Sequence, residues 1–297
     1  MIGQYSARMT ALADHGSNVY SQSGEDGIVS RIFEIIGFRS RLCIEFGAWD
    51  GFHLSNTASL WTNGWRGVLI EADGERFSQL LRNVAAYDVK AIHGFVRCEG
   101  DDTLERILLR EGVSDIPDLL AIDIDGDDYY VFESLENLRP RVIICEYNPT
   151  IPPHVELVAD PGNYFGCSAL ALVKLAERKG YRLVACTESN LIFVVEEEFH
   201  LFHGYETDLQ SIFVRKHLVY LMTGYAGDYV LSREPPYGFT SATSQSLRGD
   251  FYQIPRSERD SRTPGTLRDE LLAVRGRLLA TAWRRLLQSL RLSRPIK

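Results

Sequence analysis

Seven apolar runs of six to eight residues punctuate the first two thirds of the chain: "RLCIEFG" (41–47), "RGVLIEA" (66–72), "VKAIHGFV" (89–96), "DLLAIDID" (118–125), "RVIICEYN" (141–148), "YRLVAC" (181–186) and "NLIFVVE" (190–196). Most are apolar throughout rather than alternating, so they predict strands covered on both faces. Between them lie stretches with helical spacing: "SNTASLWTNG" (55–64), "GERFSQLLRNVAAY" (74–87), "DDTLERILLREG" (101–112), "DYYVFESLENL" (128–138) and "CSALALVKLAERKG" (167–180). The last closes on Gly180, the residue type favoured just past a helix end. Strands separated by helices predict an α/β fold, with a seven-stranded, mostly parallel sheet and helices on both faces.

After residue 200 the alternation stops. "PPYGFTSATSQS" (235–246) has loop composition, and "TLRDELLAVRGRLLATAWRRLLQSLRL" (266–292) predicts a long helix with a broad apolar stripe. Four segments follow: an N-terminal arm (1–19), an α/β domain (20–200), an extension without a readable role (201–260) and a basic amphipathic helix (261–297).

Charge sharpens this division. From residue 261 onward nine basic residues face only Asp269 and Glu270, a net +7 in a chain of net −8, which leaves −15 for the first 260 residues. An acidic body excludes broad nucleic-acid binding. A basic tail predicts one anionic or acidic partner: an anionic membrane surface, a partner assembly protein, or a second copy of the chain in a homodimer. No run approaches the roughly 20 apolar residues of a membrane span. The start of the chain has no apolar signal core. Five cysteines without a CxxC pair read as reduced core thiols. Together these predict a cytoplasmic protein.

Candidate chemistry gathers at the strand ends. The first strand ends "IEFGAWDG", with Glu45 followed by Gly47 and Gly51; the second ends "LIEAD", with Glu71 at its tip. Glycines there let the chain turn close to a ligand, and an acid about 20 residues on can accept from ribose hydroxyls. The turn lacks the GxGxxG pyrophosphate pattern and carries its own acid. It therefore suits a cationic nucleoside such as S-adenosylmethionine better than a diphosphate. The bland alternative is a strand-to-helix turn with a solvated acid.

"YSQSGEDGIVSRIF" followed by "IEFGAWDGFHLSNTASLWTNGWRGVLIEAD" resembles the FkbM-type methyltransferases, in the motifs SQxGED, acidic GAxxG, SNT and GWxGVxIE. The resemblance runs from Tyr20 to Glu196. It implies a Rossmann-like class I methyltransferase fold using S-adenosylmethionine. It also implies that Glu45, Gly47, Gly51, Asn56 and Glu71 form the cofactor pocket, with Gln22 and Asp26 as a latch over it. A capping box between Ser23 and Asp26 is the local alternative, and both can hold.

The chain departs from that family at "LLAIDIDGDDYYVF" (119–132), where Asp123, Asp125, Asp127 and Asp128 fall within six residues. This stretch looks more like the DGDxYxST segment of metal-dependent sugar O-methyltransferases. Asp123 is expected to face the cofactor. Asp125 and Asp127, with Glu146 and Asn148 from the next strand end, make a hard oxygen set suited to Mg²⁺ or Mn²⁺. Such an ion would lower the pKa of a sugar hydroxyl. Asp125, His154 and His53 are the candidate bases. Asp128 is read mainly as a cap for the following helix.

Three rival readings stay open. A "DID" glycosyltransferase site explains a cation but not the glycine turn. A haloacid-dehalogenase-type DxDG motif would normally lie on the first strand. A non-catalytic assembly module would have tolerated loss of Glu71 or the glycines. The expectation is therefore an S-adenosylmethionine-dependent O-methyltransferase acting on a carbohydrate acceptor. A sugar hydroxyl of a bacterial surface polysaccharide or glycolipid is favoured, with the tail docked at the inner membrane.

Overall fold

The computed structural model describes residues 10–218, 220–223, 225 and 229–231. The chain divides into two compact units, Met1–Lys216 and His217–Lys297. In chain order the first unit contains β1 (Thr10–Ala11), α1 (Glu25–Ile36), β2 (Leu42–Phe46), α2 (Ala58–Trp61), β3 (Arg66–Glu71), α3 (Gly74–Asn83) and β4 (Val89–His93). It continues with α4 (Leu104–Arg110), β5 (Leu119–Ile122), α5 (Asp128–Ser134), β6 (Val142–Glu146), α6 (Ala169–Arg178), β7 (Tyr181–Cys186), β8 (Asn190–Val195), β9 (Tyr205–Glu206) and α7 (Leu209–Ile212). In the second unit, β10 (Leu221–Thr223) and β11 (Tyr229–Leu231) form an antiparallel pair. The predicted tail helix lies outside the described residues.

The seven predicted strands form one sheet in the order β4-β3-β2-β5-β6-β8-β7. The five from β4 to β6 run parallel, and β8 is antiparallel to both neighbours. This is the doubly wound class I methyltransferase fold. Alternate residues supply the two faces. Cys43, Leu69, Ala121, Ile144 and Ile192 share an apolar cluster with Ile32 of α1, Trp61 of α2 and Leu80 of α3. On the opposite face Phe193 of β8 meets Phe132 of α5, with ring centroids 6.2 Å apart. Full burial on both sides is why these strands read as unbroken apolar runs.

At the amino-terminal edge a buried ion cluster locks the elements together. Arg141 donates to Asp118 Oδ1 at 2.9 Å and to Glu198 Oε1, and it also caps the end of α1 through the carbonyls of Ile36 and Gly37. Asp118 Oδ2 accepts the backbone N–H groups of Arg39, Ser40 and Arg41. Gly180 has φ +77° and donates its N–H to Glu177, so it ends α6 as expected.

The chain leaves β2 for β3 on one side, while β5 pairs on the other. A crevice at the carboxyl ends of these two strands is the place where open α/β sheets bind ligands.

Candidate cofactor and acceptor crevice

The turn after β2 is built around two glycines with different tasks. Gly47 has φ +73°, and a Cβ on it would lie 2.4 Å from the Asp123 carbonyl oxygen. The tips of β2 and β5 can approach this closely only with glycine there. Gly51 has φ +90°, and its Cβ would strike Leu80 of α3 at 2.8 Å. Gly51 therefore seats the turn on the helix rather than opening it to a ligand. Between them Trp49, at φ +50°, donates its N–H to Glu71 Oε2 at 2.7 Å. Glu71 Oε1 accepts from Asp73, which in turn caps α3 through Glu75 and Arg76. The Arg76 guanidinium lies 3.5 Å over the Trp49 ring.

Glu45 points into the protein. Its Oε1 accepts the Asn56 N–H at 2.8 Å, and its Oε2 accepts the hydroxyls of Ser55 and Thr57, each at 2.6 Å. Burial pushes its pKa up, and the three donors oppose that rise. Both oxygens thus hold the "SNT" segment, which shortens the expected helix over 55–64 to α2 at 58–61. Asn56 is delivered by this clamp to the crevice, where its Nδ2 stands 3.5 Å from Asp123 Oδ2.

The start of α1 forms a further wall. Asp26 Oδ2 accepts three backbone N–H groups, from Val19, Tyr20 and Ser21, at 2.8 to 2.9 Å. The Ser23–Asp26 capping box is not formed: the N-cap is Gly24, and Asp26 reaches back to the preceding loop. The Gln22 side chain is exposed. Glu25 was not singled out in the sequence, yet it is fully buried and accepts from Thr187 Oγ1 at 2.6 Å and Asn190 Nδ2 at 3.2 Å. Its partners sit at the tip of the β7–β8 hairpin, so no local pattern announces them.

The aspartates divide by function. Asp128 begins α5, but its carboxylate folds back to take the N–H groups of Ile124 and Gly126, both at 2.9 Å. It closes the turn rather than capping the helix as expected. Burial, opposed by these donors, pushes its pKa up to about 6. Asp123 is half-buried in the crevice. Burial first, then the charges of Asp128, Glu45, Asp125 and Glu25, raises its pKa well above the carboxylate range. Glu146 at the end of β6 is raised likewise by burial and by Asp123, Asp128 and Asp125. Asp125 is exposed, with φ +58°.

The expected Mg²⁺ or Mn²⁺ set does not come together. Asp127 Oδ1 accepts the Gly162 N–H at 2.7 Å. Asn148 accepts from Thr150 and donates to the Phe165 carbonyl at 2.9 Å. Both side chains are held by loop backbone, leaving Asp125 and Glu146 from the expected four. Among the described residues, no group of three or more His, Cys, Asp or Glu side chains is arranged to hold a metal ion. Of the expected bases, His53 and His154 are both exposed, and the His53 ring lies 5.0 Å from Trp49.

No family model and no curated protein matches the chain. The FkbM-type resemblance therefore rests on the motifs themselves. Solved structures do match. An O-methyltransferase from Bacillus cereus in complex with SAH is 18% identical, over 60% of this chain and 84% of that one, with a TM-score of 0.42. A candidate caffeoyl-CoA O-methyltransferase from Staphylococcus aureus is 14% identical, over 61% and 87%, with a TM-score of 0.40. A TehB-like SAM-dependent methyltransferase from Corynebacterium glutamicum is 12% identical, over 62% and 92%, with a TM-score of 0.37.

Proposed function

We propose that the chain is an S-adenosylmethionine-dependent O-methyltransferase acting on a sugar hydroxyl, with a bacterial surface polysaccharide or glycolipid as the favoured acceptor. The observation that carries this reading is the electrostatics of Asp123. Its strongest charged neighbours are four other acids, in a half-buried crevice at the switch point of the sheet. Such a site is stabilised by a cationic guest, and each close charge pair contributes on the order of a few kcal/mol at a partly buried position. The sulfonium and ammonium groups of S-adenosylmethionine supply that charge. Glu71, already oriented by Trp49 and Asp73, retains lone pairs for ribose hydroxyls.

The donor supplies an electrophilic methyl group. The acceptor oxygen forms the new C–O bond as the C–S bond breaks, and the electron pair stays on sulfur as a neutral thioether. The proton of the hydroxyl passes to a carboxylate among Asp123, Asp125 and Glu146; burial and neighbouring acids favour proton uptake at Asp123 and Glu146. Loss of the positive charge weakens the hold on the product. The carbohydrate acceptor is supported by the likeness of "DGDDYYVF" to sugar methyltransferases. The basic tail is proposed to dock on an anionic membrane or an assembly protein; removing residues 261–297 should abolish co-sedimentation with anionic vesicles.

Calorimetry with S-adenosylmethionine tests the central reading. Saturable binding with one site per chain is expected. A folded protein that takes up no S-adenosylmethionine would overturn it.

A further inference from the structure

The segment between β6 and α6 folds back over the turn that carries the aspartates. Its base is closed by Leu157 and Ser168, whose backbones pair at 2.8 Å, and by the Ala159 N–H on the Gly166 carbonyl at 2.9 Å. Two bonds tie it to the aspartate turn and to α5, and a third closes the segment on itself. Asp127 Oδ1 takes the Gly162 N–H at 2.7 Å, Tyr130 Oη donates to the Ala159 carbonyl at 2.9 Å, and Asn148 Nδ2 donates to the Phe165 carbonyl at 2.9 Å. Gly126 makes the approach sterically feasible. A Cβ there would lie 3.0 Å from the Asn163 carbonyl oxygen and 3.3 Å from the Tyr164 Cα, at a φ of +150°.

The result is an anchored loop whose two aromatic rings are exposed, with the Tyr164 backbone against Gly126. Tyr164 is 82% exposed and Phe165 48%. Backbone this firmly held, carrying apolar rings without burying them, is the arrangement expected of a binding surface. The loop meets the turn that follows β5 at Gly126, which lies between Asp125 and Asp127.

We propose that Tyr164 and Phe165 form the platform on which the acceptor lies, and that Asp127 is the positioning residue that holds the platform in register with the methyl donor. This rests on the methyl-transfer reading above. Aromatic faces pack against the C–H face of a sugar ring, and the exposed carboxylates of Asp125 and Asp160 accept from its hydroxyls. The same carboxylates repel a phosphorylated or carboxylated acceptor, so the reacting end is uncharged.

The test offers neutral oligosaccharides of mannose, galactose or rhamnose to the full-length protein, with S-adenosylmethionine carrying a tritiated methyl group. Tyr164→Ala combined with Phe165→Ala should raise the acceptor KM about tenfold or more, from the loss of about 1.4 kcal/mol or more of ring contact. Calorimetry should show S-adenosylmethionine affinity unchanged within about twofold, and replacing Tyr164→Ala by Tyr164→Trp in the Phe165→Ala background should recover most of the lost KM. Asp127→Ala should raise the KM more than it lowers kcat, and should open residues 157–166 to limited proteolysis. An acceptor KM unchanged in the double variant overturns the platform. So does failure to label any of these oligosaccharides while S-adenosylmethionine still binds, an outcome that leaves the donor site standing. Loss of S-adenosylmethionine binding in the unmodified protein would instead remove the donor reading, and this inference with it.

Discussion

Glu71 at the tip of β3 accepts the backbone N–H of Trp49 at 2.7 Å, joining the second strand end to the turn that leaves the first. One carboxylate thus shapes the turn and, in the proposed reading, also meets the ribose of the methyl donor. Glu71→Ala removes both roles. Loss of a charge-assisted hydrogen bond and release of the Trp49 turn should weaken S-adenosylmethionine by about 10- to 100-fold, equivalent to about 1.4 to 2.7 kcal/mol. Calorimetry reads this directly. Global stability should fall by about 1.5 to 3 kcal/mol, because the Trp49 and Asp73 N–H groups both lose a charged acceptor.

Gly47 should tolerate nothing larger. Alanine there would put a Cβ 2.4 Å from the Asp123 carbonyl oxygen, at a φ of +73° that alanine disfavours. The tips of β2 and β5 must then part. Gly47→Ala should cost about 2 to 4 kcal/mol of stability and remove measurable S-adenosylmethionine binding. Urea denaturation and calorimetry check the two effects separately. A variant that binds normally would show that the close approach of the strand tips is not needed for the site.

The strands were legible in the sequence, and most of the hydrogen bonding was not. All seven apolar runs became strands of the main sheet, because burial on both faces leaves a continuous apolar signature. The side-chain partnerships depend on chain folding instead. Glu25 meets Thr187 and Asn190 across separations of 162 and 165 residues. Asp127 and Asn148 are expected from the sequence to face a metal ion. What engages them is the backbone at Gly162 and Phe165, and an N–H or carbonyl leaves no mark in the residue types. The expected helix over 55–64 shortened for the same reason: Ser55, Asn56 and Thr57 turn toward Glu45. Residue type and spacing can place a carboxylate at a strand end, but they cannot say which donors reach it.

The ion cluster at the opposite edge separates stability from binding. Arg141 is 5% exposed and bonds Asp118, Glu198 and two carbonyls at the end of α1. Arg141→Ala would leave Asp118 buried without its cation and Glu198 paired only with the largely exposed Arg39, a loss of about 3 to 5 kcal/mol. S-adenosylmethionine affinity should be unchanged at temperatures where the variant remains folded. Thermal unfolding followed by calorimetry at low temperature tests both halves.

The acids of the crevice should make the free protein less stable as pH rises. Asp128 titrates near 6 when folded, against an ordinary value of 3.8, and burial and neighbouring acids raise Asp123 and Glu146 as well. For a carboxyl with a raised folded pKa, the native state binds more protons than the unfolded state, so stability falls with increasing pH. The decline should begin near the ordinary carboxyl pKa and pass through about 6 for Asp128, with Asp123 and Glu146 contributing in the same sense. Asp26 works in the opposite sense: its backbone donors outweigh burial and lower its pKa, so its contribution is lost only in more acid solution. Tm should therefore be higher at mildly acidic pH than at pH 7.5. Asp123→Asn removes one mutually repelling charge without changing the side chain's shape. It should raise Tm at pH 7.5 and flatten the decline, while weakening S-adenosylmethionine because the guest's positive charge loses a partner. A variant that is less stable than the parent at pH 7.5 would mean that Asp123 is already neutralised within the protein, and that the crevice does not need a cation.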